Sequence, residues 1–145
     1  MKEEIDVLYI EDNEDYVQFV RRAFNKIDTS LSCHSFKDGL DALDYFENNT
    51  DKKKLAKLIL LDVNLPGING IELLKKIRSK PKLKYTPVIM FSTSDNTSDV
   101  VNAYDNGANA YLVKPEGLNS LVETLNGVYK FWLNLNYTST RDRQS

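Results

Sequence analysis

The feature that most limits the fold of this chain is a fivefold alternation of short apolar runs with longer stretches of helical periodicity. The apolar runs lie at residues 7–10, 31–36, 58–61, 88–91 and 110–113. After the first run, Val20, Phe24 and Ile27 recur at helical spacing, with Asp12 or Asn13 placed to cap the helix. This alternation predicts five βα units, with a parallel sheet covered by helices on both faces.

The last two predicted helices differ in how their apolar residues are distributed. The fourth, between Asp95 and Asp105, is polar and only weakly amphipathic. The fifth begins near Leu118 and carries an apolar stripe that includes Leu121 and extends to Trp132, which predicts core packing. Its closing aromatic residues also leave room for a dimer face.

Polar side chains directly follow four of the apolar runs. They are Glu11 and Asp12, Asp62, Ser92 and Lys114. If the runs are parallel strands, all of these side chains lie at one edge of the sheet, where open α/β folds place their ligand sites. Each close pair of carboxylates would repel by about 4 kcal/mol at an effective dielectric near 20, so the cluster requires cations. Mg²⁺ with Lys114 would balance the three carboxylates and leave a site suited to an anion.

A carboxylate at a strand end can act as a nucleophile toward phosphorus and form an aspartyl phosphate. Asp62 is the candidate for this role, with Lys114 neutralising a phosphate oxygen and the Ser92 hydroxyl donating to another. Taken singly, each of these residues is more often a helix cap or a solvated loop residue. The prediction therefore depends on the agreement of four strand ends.

Size and composition narrow the class of protein. The 145 residues, 41% of them hydrophobic, suit one globular domain over residues 1–135, followed by a polar tail at 136–145 with no output domain. A net charge of −2 provides no basic field for nucleic acid or membrane binding. A single cysteine, Cys33, and the lack of a long apolar stretch predict a cytoplasmic protein.

Four motifs together resemble the receiver domain of two-component response regulators of the chemotaxis-regulator type. They are YIEDN at 9–13, LDVNLPGING at 61–70, PVIMFSTS at 87–94 and GANAYLVKP at 107–115. The resemblance covers nearly the whole chain. It implies a doubly wound, flavodoxin-like α/β fold, whose five-stranded parallel sheet has the order 2-1-3-4-5.

The resemblance also implies a role for each matching residue. Asp62 is implied as the phosphoacceptor, with Mg²⁺ or Mn²⁺ held by Asp12 and Asp62, by Glu11 through water, and by the backbone carbonyl of Asn64. Glu11 replaces the commoner aspartate of the family.

The switch residues follow from the same resemblance. Ser92 is implied as the switch hydroxyl, in place of the commoner threonine, and Tyr111 as the aromatic switch. Lys114 is implied as the phosphate-binding lysine, followed by a cis proline at Pro115.

The predicted function is that of a single-domain response regulator. It would accept a phosphoryl group from a sensor histidine kinase or a phosphotransfer protein, and it would promote its own phosphorylation and dephosphorylation without being a conventional enzyme. The fourth helix, fifth strand and fifth helix are implied as the output face toward an unidentified partner, and as a homodimer face. The loop before the third strand and residues 129–133 resemble stand-alone regulators of phytochrome-type kinases.

Two other functions stay open from the sequence. One is a phosphorylation-independent docking or scaffold module with the same fold, which loss of Asp62 or Lys114 would have favoured. The other is a metal-dependent phosphatase or other hydrolase, for which a chain this short has little room. The lone His34, within a predicted strand, argues against a phosphotransfer histidine and is interpreted as structural.

Overall fold

A computed structural model of the protein describes residues 4–49 and 55–138. The strands are β1 (Val7–Ile10), β2 (Cys33–Phe36), β3 (Leu58–Leu61), β4 (Val88–Ser92) and β5 (Ala110–Val113). They form one parallel sheet of order β2-β1-β3-β4-β5, so the doubly wound topology predicted from the sequence is confirmed. The order reverses between β1 and β3, which is where a ligand crevice opens in such a sheet.

Helices alternate with the strands along the chain. They are α1 (Glu14–Ile27), α2 (Gly39–Asn48), α3 (Gly70–Ser79), α4 (Thr97–Asp105) and α5 (Leu118–Val128). A 3₁₀ turn at Pro81–Leu83 precedes β4, and a π-helical segment at Tyr129–Leu135 continues from α5. The Asn13 side chain accepts from the Tyr16 amide and caps α1. Because Asn13 makes this cap, the carboxylate of Asp12 is not used for it.

The core lies in two layers, one on each face of the sheet. Successive residues of β1 alternate between them: Leu8 and Ile10 face the layer formed with α2, α3 and α4, whereas Val7 and Tyr9 face the layer formed with α1 and α5. All four residues of β1 and of β3 are buried. Continuous burial of this kind is expected for central strands covered by helices on both faces.

Several local expectations need correction. α4 begins at Thr97, two residues later than predicted, because Asn96 caps the helix by accepting from the Ser98 amide. α5 ends at Val128, and Trp132 belongs to the π-helical segment that follows. His34 lies in β2 as predicted but is exposed, because β2 is an edge strand.

Among the described residues no peptide bond is cis, so the cis bond predicted at Pro115 is wrong. The trans isomer is intrinsically favoured at proline by about 0.5–1 kcal/mol. The chain instead turns into α5 at Gly117, whose φ is +82.

Two predicted features fall partly outside the described ranges, namely the connection before β3 and the tail at 136–145. Across 4–49 and 55–138, none of the helices combines the length and apolar character needed to cross a membrane.

Candidate functional site

The carboxyl ends of β1 and β3 bring three carboxylates together. Ile10 pairs with Leu61 across the two strands, so the residues that follow them lie side by side. Carboxylate oxygens of Glu11, Asp12 and Asp62 all lie within 4.8 Å of one another. Glu11 and Asp62 are buried, whereas Asp12 is exposed. The structure thus joins the acidic residues that the sequence places at two separate strand ends.

Lys114, at the end of β5, is inserted between the two buried carboxylates. Its side chain is only 6% exposed, its Nζ lies 3.1 Å from Asp62 Oδ2, and the same nitrogen donates to Glu11 Oε1. Burial raises the pKa of Glu11, and the neighbouring Asp62 charge raises it further, while Lys114 acts in the opposite direction. The lysine therefore offsets part of the cost of holding two carboxylates in a buried site.

Further donors fix the orientation of the two buried carboxylates. The Tyr9 hydroxyl donates to Glu11 Oε1 at 3.1 Å, and the backbone amide of Asn13 donates to Glu11 Oε2 at 3.2 Å. The backbone amide of Asn64 donates to Asp62 Oδ1 at 3.2 Å. Burial, followed by the charge of Glu11, raises the pKa of Tyr9 well above its usual range, so its hydroxyl stays a donor.

Tyr9 was not recognised as a site residue from the sequence, where it reads as one apolar position of a strand. The available signal was a hydroxyl two residues before Glu11, since such residues share a strand face.

Gly70 sets the distance between α3 and the end of β3. A Cβ on this residue would lie 2.0 Å from the Asp62 carbonyl oxygen and 2.8 Å from Val63 Cα. The Gly70 amide donates to the Val63 carbonyl at 2.8 Å, which holds the start of the helix against the strand end. From the sequence alone Gly70 is one glycine of the motif at 61–70, and the close approach that requires it becomes visible only in the structure.

The predicted switch residues are joined through Ser94. The Ser92 hydroxyl, fully buried at the end of β4, accepts from the Ser94 amide at 3.2 Å. The Tyr111 hydroxyl donates to the Ser94 carbonyl at 2.9 Å, and the Ser94 hydroxyl donates to Asp99 Oδ2 at 2.6 Å. One residue of the β4–α4 loop therefore contacts the end of β4, β5 and α4 at once.

The acidic cluster suits a hard divalent cation. Carboxylate oxygens are the ligands that Mg²⁺ and Mn²⁺ prefer, whereas softer metals favour sulfur and imidazole donors. With Lys114 counted, the three carboxylates keep a formal charge of two negatives, which one divalent cation cancels. The donor set and the charge of the described site therefore fit the predicted metal.

Comparison with known proteins decides the family. Residues 7–126 match the response regulator receiver domain. The chain belongs to this receiver family. The resemblance inferred from the four motifs is thereby confirmed, and the fold observed here is the one that the family shares.

Two individual relatives match over most of their length. Response regulator Rcp1 of a Synechocystis species is 32% identical over 129 residues, covering 88% of each chain. A probable methanogenesis regulatory protein of Methanothrix harundinacea, FilR2, is 32% identical over 131 residues, covering 90% of this chain and 84% of the other.

Solved structures agree with the sequence relatives. The crystal structure of the phosphorylated cyanobacterial phytochrome response regulator RcpA superposes with a TM-score of 0.85 at 30% identity, covering 94% of this chain and 99% of the other. The Mn²⁺-bound form of Rcp1 superposes with a TM-score of 0.80 at 30% identity, covering 92% and 98%.

Proposed function

We propose that this receiver domain is a phosphorylation switch that accepts a phosphoryl group on Asp62 from the phosphohistidine of a sensor histidine kinase or phosphotransfer protein. One observation carries the proposal: two buried carboxylates and one exposed carboxylate lie within 4.8 Å of one another beside a buried lysine. Such a cluster is costly to fold, and it is the arrangement that an incoming phosphoryl group and its cation require.

The transfer step is a displacement at phosphorus. An oxygen of Asp62 forms the new P–O bond, the P–N bond of the donor breaks, and its electron pair leaves with the imidazole nitrogen, which takes up a proton from water. The backbone amide of Asn64 donates to Asp62 Oδ1 at 3.2 Å and holds the carboxylate during the attack. Lys114 then exchanges its contact with Asp62 Oδ2 for one with a phosphoryl oxygen.

Glu11, Asp12 and Asp62 would hold Mg²⁺ or Mn²⁺, together with the backbone carbonyl of Asn64. When bound, the ion supplies neutralisation of the charge on the phosphoryl group. The likeness to a Mn²⁺-bound receiver supports this assignment. The raised pKa of Glu11 supports it as well, because a carboxylate destabilised by burial gains from a nearby cation.

The response would begin at Ser92. Phosphorylation replaces one negative charge on Asp62 by about two, and the Ser92 hydroxyl is drawn to a phosphoryl oxygen. The Ser94 amide then loses its acceptor, and the bonds that Ser94 makes to Tyr111 and Asp99 transmit the change to β5 and α4.

The output surface follows from this route. The face formed by α4, β5 and α5, where Tyr104 and Val113 are exposed, is proposed as the surface that contacts an unidentified partner or a second copy of the chain.

Two further parts of the proposal concern the setting. A phytochrome-type kinase is the proposed donor, which the likeness to the phytochrome response regulator RcpA supports. A cytoplasmic location is proposed because the chain has one cysteine and because a kinase of this kind would present its phosphohistidine there. Phosphotransfer from a panel of purified kinases tests the first part, and preference for a kinase without a phytochrome sensor would contradict it.

The main test is the intact mass of the protein after exposure to a small phosphodonor, with Mg²⁺ and with a chelator. We expect one phosphoryl group to be added to the wild type with Mg²⁺ and none to Asp62→Asn. Asp15→Asn is the matched control, because Asp15 is an exposed carboxylate of the same region outside the cluster. If neither a small donor nor a cognate kinase labels the wild type, the protein is better described as a phosphorylation-independent docking module.

A further inference from the structure

Tyr16, a residue of the first turn of α1, faces the buried lysine of the site. The Lys114 Nζ lies 4.6 Å from the centroid of the Tyr16 ring. This distance is within the range of a cation–π contact, and the contact is strengthened here because the lysine side chain is almost fully removed from water. The ammonium therefore meets two carboxylates and one aromatic ring.

The Tyr16 ring is itself held in place by other rings. Its centroid lies 6.1 Å from that of Phe91 on β4 and 5.9 Å from that of Phe19 on α1. Aromatic packing of this kind restricts the ring to one position. Lys114, in contrast, has a long flexible side chain that loses rotamer freedom when it is confined.

The Tyr16 ring makes the contact with Lys114, whereas the Tyr16 hydroxyl takes no part in it. Within the described residues the Tyr16 hydroxyl is buried and has no hydrogen-bond partner. A buried hydroxyl without a partner costs free energy, so removing it should not weaken the site. The face of the ring is thus the part of Tyr16 that acts on the lysine.

We propose that Tyr16 is a positioning residue that keeps the Lys114 ammonium at the phosphoryl site before and during transfer. This inference rests on the proposed function. While Asp62 is unmodified, the Tyr16 ring and the carboxylates of Glu11 and Asp62 all contact the Lys114 ammonium and hold it in place. When the phosphoryl group arrives, the lysine changes its anionic partner, and the fixed ring remains as the contact that limits its movement.

Three variants separate the ring from the hydroxyl and from general packing. Tyr16→Phe keeps the ring and removes the hydroxyl, and Tyr16→Leu removes the ring. Phe24→Leu is the matched control, because it removes a buried ring of α1 that lies outside the cluster of Tyr16, Phe19 and Phe91. For each folded variant, the rate of labelling by a small phosphodonor with Mg²⁺ is measured. In the same samples, NMR records the Lys114 methylene resonances, identified by their loss in Lys114→Arg.

The proposal predicts that the wild type and Tyr16→Phe label at the same rate and share an upfield ring-current shift of Lys114. Tyr16→Leu should label about tenfold more slowly and lose the shift. Phe24→Leu should keep both the wild-type rate and the shift.

Three results would overturn the proposal: a wild-type rate in Tyr16→Leu, equal slowing in Tyr16→Phe and Tyr16→Leu, or a Lys114 resonance without a ring-current shift in the wild type. The last does not require Tyr16→Leu, so the test holds even if that variant does not fold. A wild type that no donor labels would contradict the proposed function and the role of Tyr16 in transfer together. A wild type that labels normally, with no effect of Tyr16→Leu, would contradict only the role of Tyr16.

Discussion

Substitution of Gly70 by alanine should damage both the fold and the phosphoacceptor. The new Cβ would lie 2.0 Å from the Asp62 carbonyl oxygen, about 1 Å inside the 3.0 Å that real Cβ contacts respect, and 2.8 Å from Val63 Cα. Both atoms belong to the backbone, so no side chain can rotate away. The start of α3 must therefore move from the end of β3.

Overpacking of this kind costs about 2–3 kcal/mol, which exceeds any gain in helix propensity. With a urea m-value of about 2 kcal/mol/M, the unfolding midpoint of Gly70→Ala should fall by about 1–1.5 M. Labelling by a small phosphodonor should also slow, because the Asp62 backbone shifts.

Gly127→Ala is the matched control for this change. Gly127 lies in α5, and a Cβ there meets nothing within 4 Å. This variant should gain about 0.5–1 kcal/mol from helix propensity and keep the labelling rate. Wild-type stability in Gly70→Ala, or equal loss in both variants, would refute the close approach described at the site.

Three further predictions concern single side chains. Ser92→Ala should still be labelled yet lose the phosphorylation-dependent change in Tyr111 fluorescence or partner binding, and full retention would refute the proposed coupling. Arg78 donates to the backbone carbonyls of Leu83 and Thr86 before β4 and of Gly107 before β5. Arg78→Met should therefore cost about 2–3 kcal/mol in urea unfolding, whereas substitution of the exposed Lys75 by methionine should change stability by less than about 0.5 kcal/mol. Burial raises the pKa of Cys33 to about 11, so the thiolate is scarce at pH 8. Its alkylation should be at least about tenfold slower than in urea and should accelerate as the pH rises toward that pKa; a rate independent of folding would contradict this.

Much of the fold and of the acidic cluster could be predicted because both follow from patterns that are local in sequence. Apolar runs predict the strands, and a parallel sheet then places the residues after each run at one edge. Glu11 and Asp62 are 51 positions apart in the sequence numbering, yet they meet because Ile10 and Leu61 are paired. The topology supplies a contact that no spacing shows.

The contacts that were missed depend on side-chain direction and on backbone distance. Tyr9 lies inside an apolar run and differs from its neighbours only by a hydroxyl that reaches Glu11. Tyr16 has the same spacing as the core residues of α1, and its contact with Lys114 requires the position of β5. A periodic sequence pattern shows which face of a helix or strand a residue occupies, but it gives no distance between residues of different elements.

The first quantity to measure is the position of the phosphoryl group, which we expect on Asp62 itself. After labelling with Mg²⁺, borohydride reduction converts an acyl phosphate into the hydroxymethyl group of homoserine, which peptide mass spectrometry can assign to one position. We expect homoserine at Asp62 alone, and none in protein that was not exposed to the donor. Only aspartate yields homoserine on reduction, so a phosphorylated Glu11 would give a different alcohol. Reduction at Glu11 or Asp12, or an unreduced Asp62 in fully labelled protein, would contradict phosphorylation of Asp62.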